Sequence, residues 1–117
     1  MNQVARTEAS AADISKAFQQ NEAKAKLTYD GKPLRVTGVV NDIDLTIGDS
    51  PVIKLRGWGE QYGMGVNEDG KLTDVMLSGI TNEVAATIDK GKSMSFDCEG
   101  VSEVMGSAQI SDCNLVK

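Results

Sequence analysis

Lys54, Arg56 and Trp58 stand at alternate positions in the run Val52-Ile53-Lys54-Leu55-Arg56-Gly57-Trp58. At a period of two they fall on one face of an extended strand, with Ile53 and Leu55 on the other. Two cations beside an indole have the chemistry that a single-stranded polynucleotide requires: a π-face on which a base stacks and positive charge for its phosphates. Tyr62 and, on an earlier segment, Arg35 extend the same set of candidate ligand-binding residues.

Other chemistries are poorly supplied. The 117 residues include no histidine, so there is no His general base, triad or metal ligand. The two cysteines, Cys98 and Cys113, are too few for a structural zinc site built from four thiolates. With no histidine or clustered base beside them, neither reads as a catalytic thiol. They fall on the last two expected strands, joined by a short turn, and antiparallel neighbours bring such side chains within bridging range. They are read as a disulfide or a near contact; the alternative is two thiols buried as small apolar groups. Glu60, Glu68, Asp69 and Asp74 gather around an expected hairpin, where solvated loop acids are the simplest reading; a cation or a basic partner protein is the alternative. No EF-hand spacing is present. A binding role without cofactor, metal or catalysis is therefore expected.

The elements that position these residues follow from periodicity. Residues 1–9 are polar and unpatterned and read as a lead-in, leaving 10–117 as one domain. Ser10 caps a helix with Asp13 three residues on, and Ile14, Phe18, Asn21 and Ala25 share one face of it until about Leu27. Asp30-Gly31-Lys32-Pro33 is a turn. From Leu34 the period is two, with a bend expected at Gly38 and an extension through Ile43 and Leu45 toward Ile47. After the turn Gly48-Asp49-Ser50-Pro51 comes the strand over 52–58. A hairpin turn at Asn67-Glu68-Asp69-Gly70 follows, flanked by 62–66 and 71–77. Thr81 caps a helix over 82–90 that Gly91 stops, with Val84, Ala85 and Ile88 as its apolar stripe. Strands over 93–99 and 107–116 close the chain, joined by a turn over 101–106 and with a slip in alternation at Asp112-Cys113.

Helix, three strands, helix, two strands is the order of a five-stranded OB-like barrel with an added N-terminal helix and a helix between strands three and four. The expected fold class is all-β dominated. In such barrels the outer face of strands two and three is the usual ligand platform, where Lys54, Arg56 and Trp58 fall. The competing reading is a solvated strand face, with Trp58 covering a barrel end or the first helix.

The run Asn21-Glu22, Ala25, Tyr29, Gly31-Lys32, Val36-Thr37-Gly38, Val40 and Ile43 resembles the bacterial OB-fold family described as tRNA-anticodon-like. Lys90-Gly91-Lys92, Cys98, Gly100 and Ser111-Asp112-Cys113 resemble it too, so the likeness spans about residues 12–117. It implies an OB fold and nucleic-acid binding, in a family whose members are often exported or lipid-anchored. The stretch 57–73 is longer and richer in glycine than that pattern.

Charge supplies the rival reading. The chain carries 12 Lys+Arg against 17 Asp+Glu, net −5, and residues 59–117 hold four bases and ten acids. A protein devoted to gripping phosphates usually has the opposite sign. An acidic interaction module or inhibitor that binds a basic partner surface, as a nucleic-acid mimic or in envelope assembly, is the alternative function. No apolar run is long enough to span a membrane. Residues 1–12 lack the apolar stretch of a signal peptide. A native Met1 implies a cytoplasmic chain with reduced thiols, and a removed leader implies a periplasmic or envelope domain with a bridge. Oligomeric state is not legible.

Overall fold

The computed structural model describes residues 6–46, 48–60, 66–68, 73–104 and 107–116. Ser10 has an extended backbone, and its Oγ accepts from the Asp13 N–H at 3.0 Å. This starts helix α1, Ala11–Gln20, whose buried face is Ala11, Ile14, Ser15 and Phe18. The apolar stripe suggests one helix as far as Leu27, but Asn21 divides it. Asn21 is extended (φ −158°, ψ 93°); its N–H still donates to the Ala17 carbonyl, while its Oδ1 accepts from the Lys24 N–H at 3.1 Å. One short polar side chain thus ends α1 and caps α2, Glu22–Tyr29.

The lead-in also differs from its sequence reading. Thr7–Ser10 forms strand β1, parallel to the first residues of β2, Leu34–Leu45. No alternation betrays it, because β1 lies beside β2 with Thr7 and Glu8 exposed. Main-chain pairing and Arg6 hold it; the Arg6 guanidinium donates to the Cys98 carbonyl at 2.9 Å and to Glu99 at 2.7 Å.

β2 serves two halves of the fold. Its first half pairs antiparallel with β5, Ser93–Cys98, and its second half with β3, Pro51–Leu55. The irregularity expected at Gly38 lies instead between Val40 and Asp42, where the register with β3 shifts by one residue. Gly38 serves packing: a Cβ there would sit 2.9 Å from the Ala11 Cβ, so its absence lets α1 lie against β2.

β4 (Val75–Leu77) continues antiparallel from β3 and pairs in parallel with β7, Ser107–Ser111. Residues 101–106 are not a simple turn, since Gly100–Val104 forms β6, antiparallel to β7. The slip near Cys113 is a full break: Asp112 has φ +53°, and the chain leaves β7 to pair as β8 (Asn114–Leu115) with β5. The helix between β4 and β5 is only one turn, α3 (Asn82–Ala85), capped by Thr81 as expected. Ile88 is still buried beyond it, and Gly91 has φ +85°.

The strand order is β6-β7-β4-β3-β2-β5-β8, with β1 beside β2. Only Glu99 separates β5 from β6, so one chain segment pairs with β2 at one end of the path and with β7 at the other. The mixed sheet is curled accordingly, in an OB-like manner. Eight described strands replace the five expected; the additions are β1, β6 and β8. Phe96, Ile14, Leu34, Ile53, Leu55, Leu77 and Ile110 fill the interior. No helix among the described residues is long and apolar enough to cross a membrane.

Candidate nucleic-acid interface

On β3, Pro51, Ile53 and Leu55 point inward, which leaves Val52 and Lys54 on the outer face. Register places Lys54 between Asp42 on β2 and Met76 on β4, and Met76 beside Gln109 on β7. The Lys54 ammonium lies 2.8 Å from Asp44, whose hydrogen bond holds it above the ordinary lysine range. Lys90 meets Asp42 at 3.0 Å and lowers the pKa of that carboxylate. The outer face is thus a ladder of alternating charge. Exposed pairs of this kind are worth about 0–1 kcal/mol each, so an incoming phosphate can compete for the cations.

Arg56 and Trp58 follow beyond the end of β3 with exposed side chains on either side of the buried Gly57, and the Arg56 N–H still donates to the Val39 carbonyl at 2.9 Å. β3 ends at Leu55, and the reason lies in Gly57. Its backbone presses on the Thr73 carbonyl, which turns the chain toward α1. The turn is fixed by α1: the Ser15 hydroxyl donates to the Thr73 carbonyl at 3.0 Å, and the Gln19 amide donates to the Trp58 carbonyl at 3.2 Å. The Trp58 indole, 42% exposed, lies at this edge with the Lys16 ammonium 5.4 Å from its ring centroid. Nothing in the sequence marks Lys16 as a partner of Trp58; only the fold brings α1 to this turn.

Arg35 is not brought to this surface. It lies seven positions from Asp42 along β2, about 23 Å of extended strand. There it makes a two-pronged contact with Asp97 at 2.7 and 3.1 Å and holds that carboxyl below its usual range. Tyr62 and Asp69 lie outside the described residues.

Beneath Arg56 is a buried polar cluster where the sequence suggests solvated loop acids. The bulge sets the Asn41 side-chain amide to donate both to Glu60 and, at 3.1 Å, to Asp74. Glu60 Oε2 lies 2.8 Å from Arg56 Nε. The Glu60 side chain is 1% exposed and Asp74 8%. Burial pushes the Asp74 carboxyl up to about 6, against the hydrogen bond from Asn41 and with further lift from neighbouring Glu60. The one sequence signal is the change of apolar phase from Val36 and Val40 to Ile43 and Leu45, which falls across Asn41 and Asp42.

A carboxyl whose pKa rises on folding stabilises the native state at low pH, and that contribution is lost as pH climbs through the folded-state value. The wild-type protein is therefore expected to melt about 5 °C lower at pH 7.5 than at pH 5, a loss on the order of 1 kcal/mol. Asp74→Asn should flatten that difference by raising the melting temperature at pH 7.5. Equal slopes in the two proteins would show that Asp74 does not carry the proton.

Comparison with known proteins was made on sequence and on structure. The tRNA_anti-like family model matches residues 1–105. No curated protein matches the chain. Among solved structures, a lipoprotein from Klebsiella pneumoniae subsp. pneumoniae MGH 78578, to which nucleic-acid binding is provisionally ascribed, superposes with a TM-score of 0.66 at 22% identity, covering 96% of this chain and 92% of that one. The mitochondrial single-stranded DNA-binding protein of S. cerevisiae gives 0.37 at 14% identity, over 75% of this chain and 97% of that one, a likeness too slight to carry argument. The match in structure is one of fold, and the match in sequence covers most of the chain: this protein belongs to the tRNA_anti-like family.

Proposed function

We propose that this chain is a non-enzymatic OB-type module that binds single-stranded nucleic acid along the edge where β3 meets α1. Trp58 offers a base its stacking surface, and Lys16, Arg56 and Lys54 face the phosphates. The observation that carries this reading is the half-exposed indole with a lysine over its ring, two residues beyond an exposed arginine. Membership of a family described as tRNA-anticodon-like supports it, as does the description of the Klebsiella lipoprotein. The Cys98–Cys113 bridge and that relative suggest an oxidising, envelope compartment. Binding of a basic protein is less well supported, because Asp42, Asp44, Glu60 and Asp97 are each engaged by a cation of the chain itself.

The reading is tested by titrating a short oligo-dT into micromolar protein at low salt while following Trp58 fluorescence. Quenching is expected, with affinity falling as salt rises by about 0.7 log units per log unit of salt for each phosphate engaged. Arg56→Gln should weaken binding about fivefold and remove one such increment of slope. No quenching at low salt overturns the reading.

A further inference from the structure

We infer that Asn41, Glu60 and Asp74 form a proton-operated clamp on Arg56, which withholds its guanidinium from phosphate at neutral pH and releases it under mild acid. The inference rests on the binding reading above and concerns the regulation of that same edge.

The Arg56 side chain is 51% exposed, yet the side chain of its partner Glu60 is 1% exposed. An ion pair between two solvated chains opens freely, because each partner is rehydrated. Glu60 has no such exit: its side chain is enclosed, and the Asn41 amide fixes it from the other side. The strength of its hold on Arg56 therefore depends on the charge of its surroundings rather than on its own motion.

Asp74 sets that charge. It shares the Asn41 amide with Glu60, which sets the two carboxyl groups side by side, and two ionised carboxylates held this close repel. With Asp74 ionised, two negative charges lie beneath Arg56. When Asp74 takes up a proton from water, its O–H donates to Glu60. The remaining carboxylate charge is then met by that O–H and by the Asn41 N–H, and the guanidinium is held less tightly. On deprotonation the proton returns to water and the clamp is restored.

The charged groups around the pair leave this response in place. Lys54 comes from β3, Arg56 from just beyond it, and Asp42 and Asp44 from β2; Lys54 is already paired with Asp44, and Asp42 with Lys90. From α1 come Asp13, at its start, and Lys16, over the Trp58 ring. The exposed Glu68 stands in the segment before β4. The chain has no histidine, and both cysteines are bridged. The Asp74 carboxyl, buried and beside Glu60, is raised to about 6, within the range from pH 5.5 to 7.5.

Removing one negative charge within about 8 Å of a bound phosphate, in a partly solvated setting, changes affinity about fivefold. The test uses oligo-dT, whose bases do not titrate in this range, with wild type, Asp74→Asn and Glu60→Gln at pH 5.5 and 7.5. Wild type is expected to bind about fivefold more tightly at pH 5.5. Asp74→Asn, which mimics the protonated acid, and Glu60→Gln should bind at both pH values with the affinity that wild type shows at pH 5.5. Wild-type affinity that does not change with pH, or a pH response retained in Asp74→Asn, overturns the clamp. If no variant binds at either pH, the binding reading fails, and the clamp is decided by the NMR signal of the Arg56 Nε–H. A shift with a midpoint near pH 6 in wild type that is absent in Asp74→Asn supports it. An invariant signal overturns it.

Discussion

Gly57→Ala is expected to abolish the native fold or to lower its melting temperature by more than about 15 °C. A Cβ at this position would lie 1.6 Å from the Thr73 carbonyl oxygen, 2.5 Å from its carbon and 2.6 Å from the Ser15 hydroxyl. Two of those three atoms are backbone, and the Ser15 hydroxyl is itself bonded to Thr73. No rotamer change relieves the overlap. Either the segment before β4 retreats or the turn carrying Trp58 lifts away from α1. Each route breaks the Ser15 and Gln19 hydrogen bonds and disturbs Asp74, the residue after Thr73. A cost of at least about 4 kcal/mol places this among the exceptional substitutions. Gly31→Ala is the control. Gly31 has φ +69°, and a methyl group there would meet nothing within 4 Å, so only the backbone preference is at stake. That preference is worth about 1–2 kcal/mol. Circular-dichroism melts of the two variants measure the contrast. A Gly57→Ala protein that melts with wild type would show that this glycine is not packed against Thr73.

The same glycine marks the limit of local pattern. Alternation from Lys54 through Arg56 to Trp58 is sound local evidence for a strand, and Pro51–Leu55 confirms its first part. What diverts the chain afterwards is a contact with Thr73, sixteen positions on, which no local pattern encodes. Asn21 is similar. Its spacing fits the helical stripe, but its side chain prefers to cap, and the choice between one helix and two is made where Phe18 and Ala25 are buried. Features governed by neighbours within four residues are legible: the Ser10 and Thr81 caps and the alternation of β2 and β5. β1 and β6 are not. β1 is held by main-chain pairing to the distant β2, which leaves no trace in side-chain type, while β6 pairs with β7 across the segment read as a turn.

Charge is legible as a total but not as an arrangement. A net charge of −5 reads as repulsion toward phosphate. In the fold, Asp44, Asp42, Glu60 and Asp97 instead sit on Lys54, Lys90, Arg56 and Arg35. These cations are thereby held in place but partly neutralised. Three of the four pairs are solvated and can exchange with phosphate at little cost. The fourth ends on the buried Glu60, so the edge beside Trp58 depends on proton uptake while the outer face of β3 does not.

Removal of the Cys98–Cys113 bridge is expected to cost about 3 kcal/mol, the chain-entropy value for a loop of about fifteen residues. For a chain of this length that lowers the melting temperature by about 12 °C. The position of the bridge explains why so much rests on it. Cys98 ends β5, just before Glu99 parts it from β6, and Cys113 lies where the chain leaves β7 for β8. The closed loop contains the β6–β7 hairpin. Its Cα–Cα separation of 4.1 Å therefore ties the point where one strand changes partners to the point where another does the same. Without the bond, the β6–β7 hairpin is held to the rest by its pairing with the three-residue β4 and by packing. Both cysteines are fully buried, so a reductant reaches them only when this corner opens. The Cys98→Ala/Cys113→Ala double variant avoids that kinetic barrier. Its melt, compared with that of the oxidised wild type, should show the loss, and amide hydrogen exchange should accelerate first in β6 and β7. Exchange that rises equally in β2 and β3 would mean that the bridge stabilises the whole domain evenly and not the hairpin it encloses.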